Sequence, residues 1–293
     1  MHLDFILQIV VAGLAQGSLY ALAALGLVVI YNASYVVNFA QGAMGMAATY
    51  IAWAMLNNLQ VPYAVAFVGA LAFAFVLGVV VQTLLLHRLI EASALTQVVV
   101  TLGLFMFLEG IVGLVFGYNP RSLVPVLTMA PLVLGTIVVR PQDMLALGLL
   151  IVLGLALATL FNRTKLGTAM RAITQNAYAA RLMGIPVGGV LSLAWGIGVL
   201  LGAVAALLAA PVTSVTPNMM DTIIVYGFVA AILGGFGSLV GAVVGGLLLG
   251  VINNLIDAYL APELSLTIVF ALLLALLYVK PDGLFGRTTP QKA

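Results

Sequence analysis

Few residues in this sequence can do chemistry, and their spacing excludes most kinds. Its histidines are His2 at the terminus and His87 at a loop edge, so no serine nucleophile can find a histidine base on a neighbouring span. Cysteine is absent, which removes disulfides, thiolate catalysis and Cys-ligated metals together. The carboxylates are scattered, and no G-x-x-x-x-G-K-[ST] motif occurs to cradle nucleotide phosphates. No catalytic and no metal-ligating residues are expected. Two polar features remain: Glu109 inside an apolar run, and the stretch Phe161 to Val187, FNRTKLGTAMRAITQNAYAARLMGIPV.

That stretch holds Arg163, Lys165, Arg171 and Arg181, four of the ten basic residues, between segments 144–160 and 187–212, which carry no charge. A basic, helix-forming element between two apolar spans reads as cytoplasmic. Gly167 and the Gly184-Ile185-Pro186 end bracket a helix of roughly four turns, since proline disfavours helical geometry at the residue before it. Ala169, Ala172, Ala179, Ala180 and Gly184 keep it slim enough to enter a groove. Arg171, Gln175, Asn176 and Arg181 can bond at the rim, a helix-in-groove mode.

The elements around it are set by composition: 64% hydrophobic and 6% charged, against about 25% charged in soluble domains. The chain reads as one all-α polytopic membrane domain spanning residues 1–293. The net charge of +2 comes from a few loop cations and speaks of topology, not nucleic acid. The N-terminus lacks a basic n-region, and its apolar run exceeds a signal peptide's, so it is expected to stay as the first span. Apolar segments fall at about 5–30, 36–56, 62–86, 95–117, 143–161, 187–212, 222–235, 238–257 and 263–280, with spans near 20 residues each. This predicts eight to nine crossings. Arg88, the 163–185 loop and a C-terminus bearing Lys280, Arg287 and Lys292 are placed inside, and the N-terminus outside.

Unwound backbone at membrane depth is tolerated only against protein or a water-filled cavity. Two interruptions are candidates, Tyr31 to Ser34 leading into Asn38 to Gly42, and the helix break Gly234, Gly235, Gly237 and Ser238. Matching interruptions in two halves point to a permeation path between repeats. Gln16, Tyr20, Asn38, Gln41 and Glu109 are the candidate path residues. An ionised Glu109 in a span costs on the order of 3 kcal/mol, so it faces a cavity or a partner, or snorkels to the interface. Asp221 and Asp257 read as interfacial. Glycines at four-residue spacing (Gly13 and Gly17, Gly113 and Gly117, Gly198 and Gly202, Gly241 and Gly245, Gly246 and Gly250) argue for close helix packing and a subunit interface.

The segments GSLYALAALGLVVIYNASYVVNFAQGAMGMAATYIAW, LGTAMRAITQNAYAARLMGI, FVAAILGGFGSLVGAVVGGLLLGVINN and PDGLFGR, in this order, resemble the permease subunits of branched-chain amino-acid ABC importers, related to ribose-type permeases. The resemblance covers nearly the whole chain. It implies a bacterial inner-membrane subunit without a cofactor of its own. Its partners would be two ABC ATPase subunits that bind ATP and Mg, a second homologous permease, an extracytoplasmic substrate-binding protein and membrane lipid. The loop 163–186 would hold the coupling helix, with Arg171, Asn176, Ala179, Ala180, Arg181 and Gly184 at the ATPase contact. The family pattern has a histidine and an acidic residue where this chain has Gln41 and Ala43, so the substrate stays open between branched-chain or other aliphatic amino acids, urea and short amides. The competing readings are a stand-alone proton-coupled secondary transporter, which needs an intramembrane ionisable set, and a non-transporting scaffold.

Overall fold

The computed structural model describes residues 2–89 and 92–286; Glu91, Arg287 and Lys292 lie outside the described residues. Eleven α-helices appear among them: α1 (His2–Ser34), α2 (Gln41–Asn57), α3 (Tyr63–Val80), α4 (Ala94–Phe116), α5 (Pro141–Arg163), α6 (Lys165–Gln175), α7 (Ala177–Leu182), α8 (Val187–Thr213), α9 (Asp221–Gly234), α10 (Leu239–Tyr259) and α11 (Ser265–Val279). Their starts are written in the sequence. Ser93, Thr164, Asn176 and Ser238 accept first-turn N–H groups at the heads of α4, α6, α7 and α10, and Pro141 opens α5.

Seven helical segments among the described residues are long and apolar enough to cross a membrane. The long connection between α4 and α5 holds an antiparallel hairpin, β1 (Leu132–Leu134) and β2 (Ile137–Val139). Gly135 at φ 65° makes its two-residue turn possible. Gln8 ties it to α1, donating to the Val138 carbonyl at 3.1 Å and accepting from the Val138 N–H at 2.8 Å.

The two apolar segments that fall short are the informative ones. At 1.5 Å per residue α2 reaches about 26 Å and α9 about 21 Å, less than the ~30 Å hydrocarbon thickness. Each follows a largely buried, non-helical stretch, 35–40 before α2 and 214–220 before α9, in which only Tyr35 and Asn218 are exposed. Each stretch begins at a non-glycine residue of positive φ, Tyr35 at 55° and Ser214 at 64°. The second interruption is therefore Ser214 to Met220. Gly234 to Ser238 is instead the joint between α9 and α10, beside the end of α1, where Asn32 donates to the Gly237 carbonyl at 3.0 Å.

Around these breaks the packing is reciprocal. α1 lies on α10 and α8 on α3; α2 packs against α3 and α8, and α9 against α10 and α1. Helices α1–α4 and α8–α11 thus form two halves that run in opposite directions, with α5–α7 between them. α1 and α8 cross at the centre, 83% buried over their apolar windows, whereas α4 and α11 are 17% buried and present apolar sides outward. Gly26 faces Gly198 at that crossing, while Gly13, Gly17, Gly246 and Gly250 form the α1–α10 seam and Gly241 and Gly245 meet α9. Four of the five glycine pairs therefore pack within the chain rather than at a subunit interface. In the fifth, Gly117 at φ 78° ends α4.

A side chain at Gly250 would collide with the backbone of Gly13 and Gly17, whereas one at Gly103 meets nothing. Gly250→Leu should abolish recovery of monodisperse protein in mild detergent. Gly103→Leu should leave both yield and melting temperature unchanged.

Candidate functional site

The first break is held by amides. Asn38, fully buried, accepts from the Ala40 N–H at 3.0 Å and donates to Gln41 Oε1 at 3.2 Å, and Gln41 Nε2 donates to the Gly198 carbonyl of α8 at 2.6 Å. Gly26 and Gly202 leave the room that the Gln41 amide fills. The second break is held by backbone: Arg121 and Val215 exchange N–H···O bonds of 3.1 and 2.8 Å. The Arg121 guanidinium lies 4.0 Å over the Trp53 ring and donates to the Phe116 carbonyl.

Gln16 and Tyr20 sit apart from both breaks. Gln16 donates to the Tyr20 hydroxyl at 2.7 Å and accepts from Asn254 of α10 at 2.9 Å, while Tyr20 stacks on Tyr226 of α9 at 4.7 Å. This network ties α1 to α9 and α10.

Glu109 has a partner that sequence reasoning assigned to the interface. Glu109 of α4 lies beside Asp221, the first residue of α9, and Glu109 Oε1 is buried without a hydrogen-bond partner among the described residues. From Asp221 one stripe of α9 continues through Val225, Phe228, Val229 and Ile232, at helical spacing. Those four residues, with Tyr31, Phe39, Phe236 and Phe270 among others, line an apolar hollow of about 490 Å³. Phe39, in the first break, stacks on Phe228 at 5.0 Å. The first break thus lines the hollow through Val37 and Phe39, and the second ends at Asp221, at the head of the same α9 stripe. A signal for Asp221 was present in the sequence: it opens an apolar segment too short to be a full span.

The basic loop forms two helices, not the single four-turn helix expected. Asn176, at φ −161°, stops α6 and caps α7 by accepting from the Ala179 N–H at 2.9 Å. Arg171 donates to the Phe161 carbonyl at 2.6 Å, fixing α6 to the end of α5. Ala180 is buried, and Ala169, Ala172 and Ala177 face the bundle. What projects is Tyr178, Leu182 and Met183, 72–83% exposed, beside exposed Arg181, Ala179 and Gly184. Gly184 closes α7 at φ 80° with open space around it, so any side chain there meets strain from the backbone rather than from neighbours.

Gly234, Gly235, Gly237 and Ser238 gather near the chain's end. Gly234 and Gly241 pack backbone to backbone, Leu284 and Phe285 donate to the Leu233 and Gly234 carbonyls at 2.8 and 3.0 Å, and Ser238 caps α10 at 3.0 Å.

The family described as "Branched-chain amino acid transport system / permease component" matches residues 9–277. The chain belongs to this family. It is 30% identical to the high-affinity branched-chain amino acid transport system permease protein LivH of Escherichia coli (strain K12), over 98% of both chains. Against the corresponding BraD of Pseudomonas aeruginosa it is 29% identical over 98% of this chain and 97% of BraD. The probable LivH of Methanocaldococcus jannaschii is 28% identical over 95% and 92%. No solved structure matches significantly. The chain is thus a multi-pass membrane protein and a transport permease subunit of an ABC importer.

Replacing Gln41 by Leu would remove its bond to the Gly198 carbonyl and leave one buried Asn38 amide hydrogen without its Gln41 acceptor, at about 1–3 kcal/mol for a buried group left unpaired. Gln41→Leu should lower the thermal midpoint in detergent by several degrees, and Gln16→Leu, at a half-exposed site, by less.

Proposed function

We propose that the chain forms half of an ATP-driven passage for branched-chain or closely related aliphatic amino acids, and that the passage follows the α9 groove. The observation that carries this is the carboxyl pair Glu109–Asp221 heading an apolar stripe and hollow. A carboxyl pair attracts the ammonium group of a zwitterion, and the hollow beyond it accommodates an aliphatic side chain. The groove opens on the outer side of α9, where a second, homologous permease would complete it. The names of the relatives support the substrate class.

The basic residues supply the orientation. Arg88, Arg163, Lys165, Arg171, Arg181 and Lys280 gather at one end, Arg121 and Arg140 at the other, and the positive-inside bias puts the first end in the cytoplasm of a bacterial inner membrane. Counted with their extended lead-ins, α2 and α9 join the seven long helices to make nine crossings, with the N-terminus outside and the C-terminus inside, in one membrane domain. α6 and α7 then face the cytoplasm as the coupling element. Tyr178, Leu182 and Met183 enter a groove of an ABC ATPase that binds the ATP and Mg, with Arg171, Asn176, Ala179, Ala180, Arg181 and Gly184 shaping the contact. A substrate-binding protein delivers from outside. ATP binding biases the bundle between inward- and outward-open states through this contact.

A stand-alone proton-coupled transporter would use Glu109 and Asp221 as its relay and would copurify with no ATPase. The test is reconstitution with the partner subunits and ATP-dependent L-leucine uptake. Leu182→Glu with Met183→Glu should lose ATPase copurification and uptake at unchanged thermal stability. Asp221→Asn should keep the ATPase and slow uptake about tenfold, the effect of roughly 1.4 kcal/mol. Uptake untouched by both changes, or driven by a proton gradient without ATP, would refute the reading.

A further inference from the structure

Beneath the basic loop lies a second cavity, of about 150 Å³, walled by the end of α1 (Ser34, Tyr35), the turn after α3 (Gln82, Leu86), Gln97 of α4, α6 (Ile173, Thr174), Ala177, and the start of α8 (Val187, Leu191). It is far larger than the ~10–15 Å³ one water needs and smaller than the roughly 300 Å³ of drug-sized sites. None of its lining residues is charged.

Gln82 is the telling residue. It is 3% exposed, lines this cavity, and makes no side-chain hydrogen bond among the described residues. An amide in a cavity wall without a protein partner is open to bond an occupant, and its place on a π-helical turn, Val81–Leu85, is of a kind common at functional sites. Its neighbours are occupied: Ser34 donates to the Ile30 carbonyl at 2.8 Å, Thr174 to the Arg171 carbonyl at 3.0 Å, and Gln97 to the Leu89 carbonyl at 2.8 Å.

Opposite helix poles meet across the same space. The N-terminus of the 27-residue α8, preceded by Pro186 without a side-chain cap bond, carries partial positive charge. The C-terminus of the 33-residue α1 presents carbonyls and partial negative charge. A wall with two opposed poles, a free amide, no net charge and apolar Leu86, Ile173 and Leu191 matches a small dipolar molecule of zero net charge with an aliphatic side chain. It does not match an anion such as a nucleotide, which would call for Arg or Lys.

We propose that this cavity binds a free zwitterionic amino acid from the cytoplasmic side, the released product itself, with the carboxylate toward α8, the ammonium toward α1, and Gln82 bonding the ligand. The ligand class rests on the transport reading above. An occupant sits between α6 and the α1–α8 crossing, so it stabilises the arrangement in which the cavity exists and slows the cycle.

The test uses the complete complex in liposomes, with binding protein outside, ATP within, and the lumen either empty of amino acid or loaded with L-leucine. Luminal leucine should slow uptake by the parent about fivefold or more, the lower range of allosteric coupling. Gln82→Leu removes only an unpaired amide, so it should transport into empty liposomes at the parental rate and escape the slowing. Hydrogen exchange on the same complex should show leucine-dependent protection of residues 173–177 and 187–191 in the parent and not in the variant. Equal slowing of both proteins, or neither slowing nor protection in the parent, overturns the site while leaving transport intact. Failure of uptake into empty liposomes counts against the transport reading; protection by leucine would then still support the site, and its absence would overturn it.

Discussion

Backbone inside a bilayer has no water to bond, and the architecture answers to that constraint at two places, 35–40 and 214–220. In the first, Asn38 and Gln41 stand in for water, satisfying the Ala40 N–H and reaching the Gly198 carbonyl. In the second, the strand-like exchange between Arg121 and Val215 does so, with the guanidinium stacked on Trp53. Both solutions require the breaks to be wrapped by other helices. That is why α1 and α8 cross at the centre and why glycines mark every close seam around them.

The breaks also allow a groove. A continuous helix through 214–234 would set its first turns against lipid; an extended lead-in lets α9 begin inside the protein, with Asp221 against Glu109 and an apolar stripe below. Opposed half-chains bring a further consequence. Because α1 and α8 run antiparallel, the end of one and the start of the other share one end of the bundle, and their dipoles face one another across the cavity at Gln82. The end of α1 lines both hollows, and α6 packs against α1 and α8.

Much of this was legible in the residues. The apolar runs located the long helices, and the basic loop located the exposed α6–α7 element. The first break was visible because Asn38 and Gln41 are costly in a span. Ser214 to Met220 was not, because VTSVTPNMM follows an apolar run and reads as an ordinary outer loop, while the glycines of 234–238 drew attention to what is a helix joint. Gly-rich sequence signals close backbone approach as readily as unwinding, and only packing separates the two. Asn176 was read as a rim residue, but its side chain suits an N-cap and divides the loop helix. Of the alanines read as slimness toward a partner, Ala169, Ala172 and Ala180 lie against the bundle and Ala179 is exposed. The Glu109–Asp221 pair joins residues 112 positions apart, and no periodicity connects them.

The central claim is that two oppositely directed halves place α6 and α7 inside and the β1–β2 hairpin outside. The chain has no cysteine, so single cysteines report without background. Tyr178→Cys and Gly135→Cys, each probed with a membrane-impermeant thiol reagent on intact and permeabilised cells, decide it. The account predicts labelling of position 135 on intact cells, and of position 178 only after permeabilisation. Labelling of both on intact cells, or the reverse pattern, would contradict it.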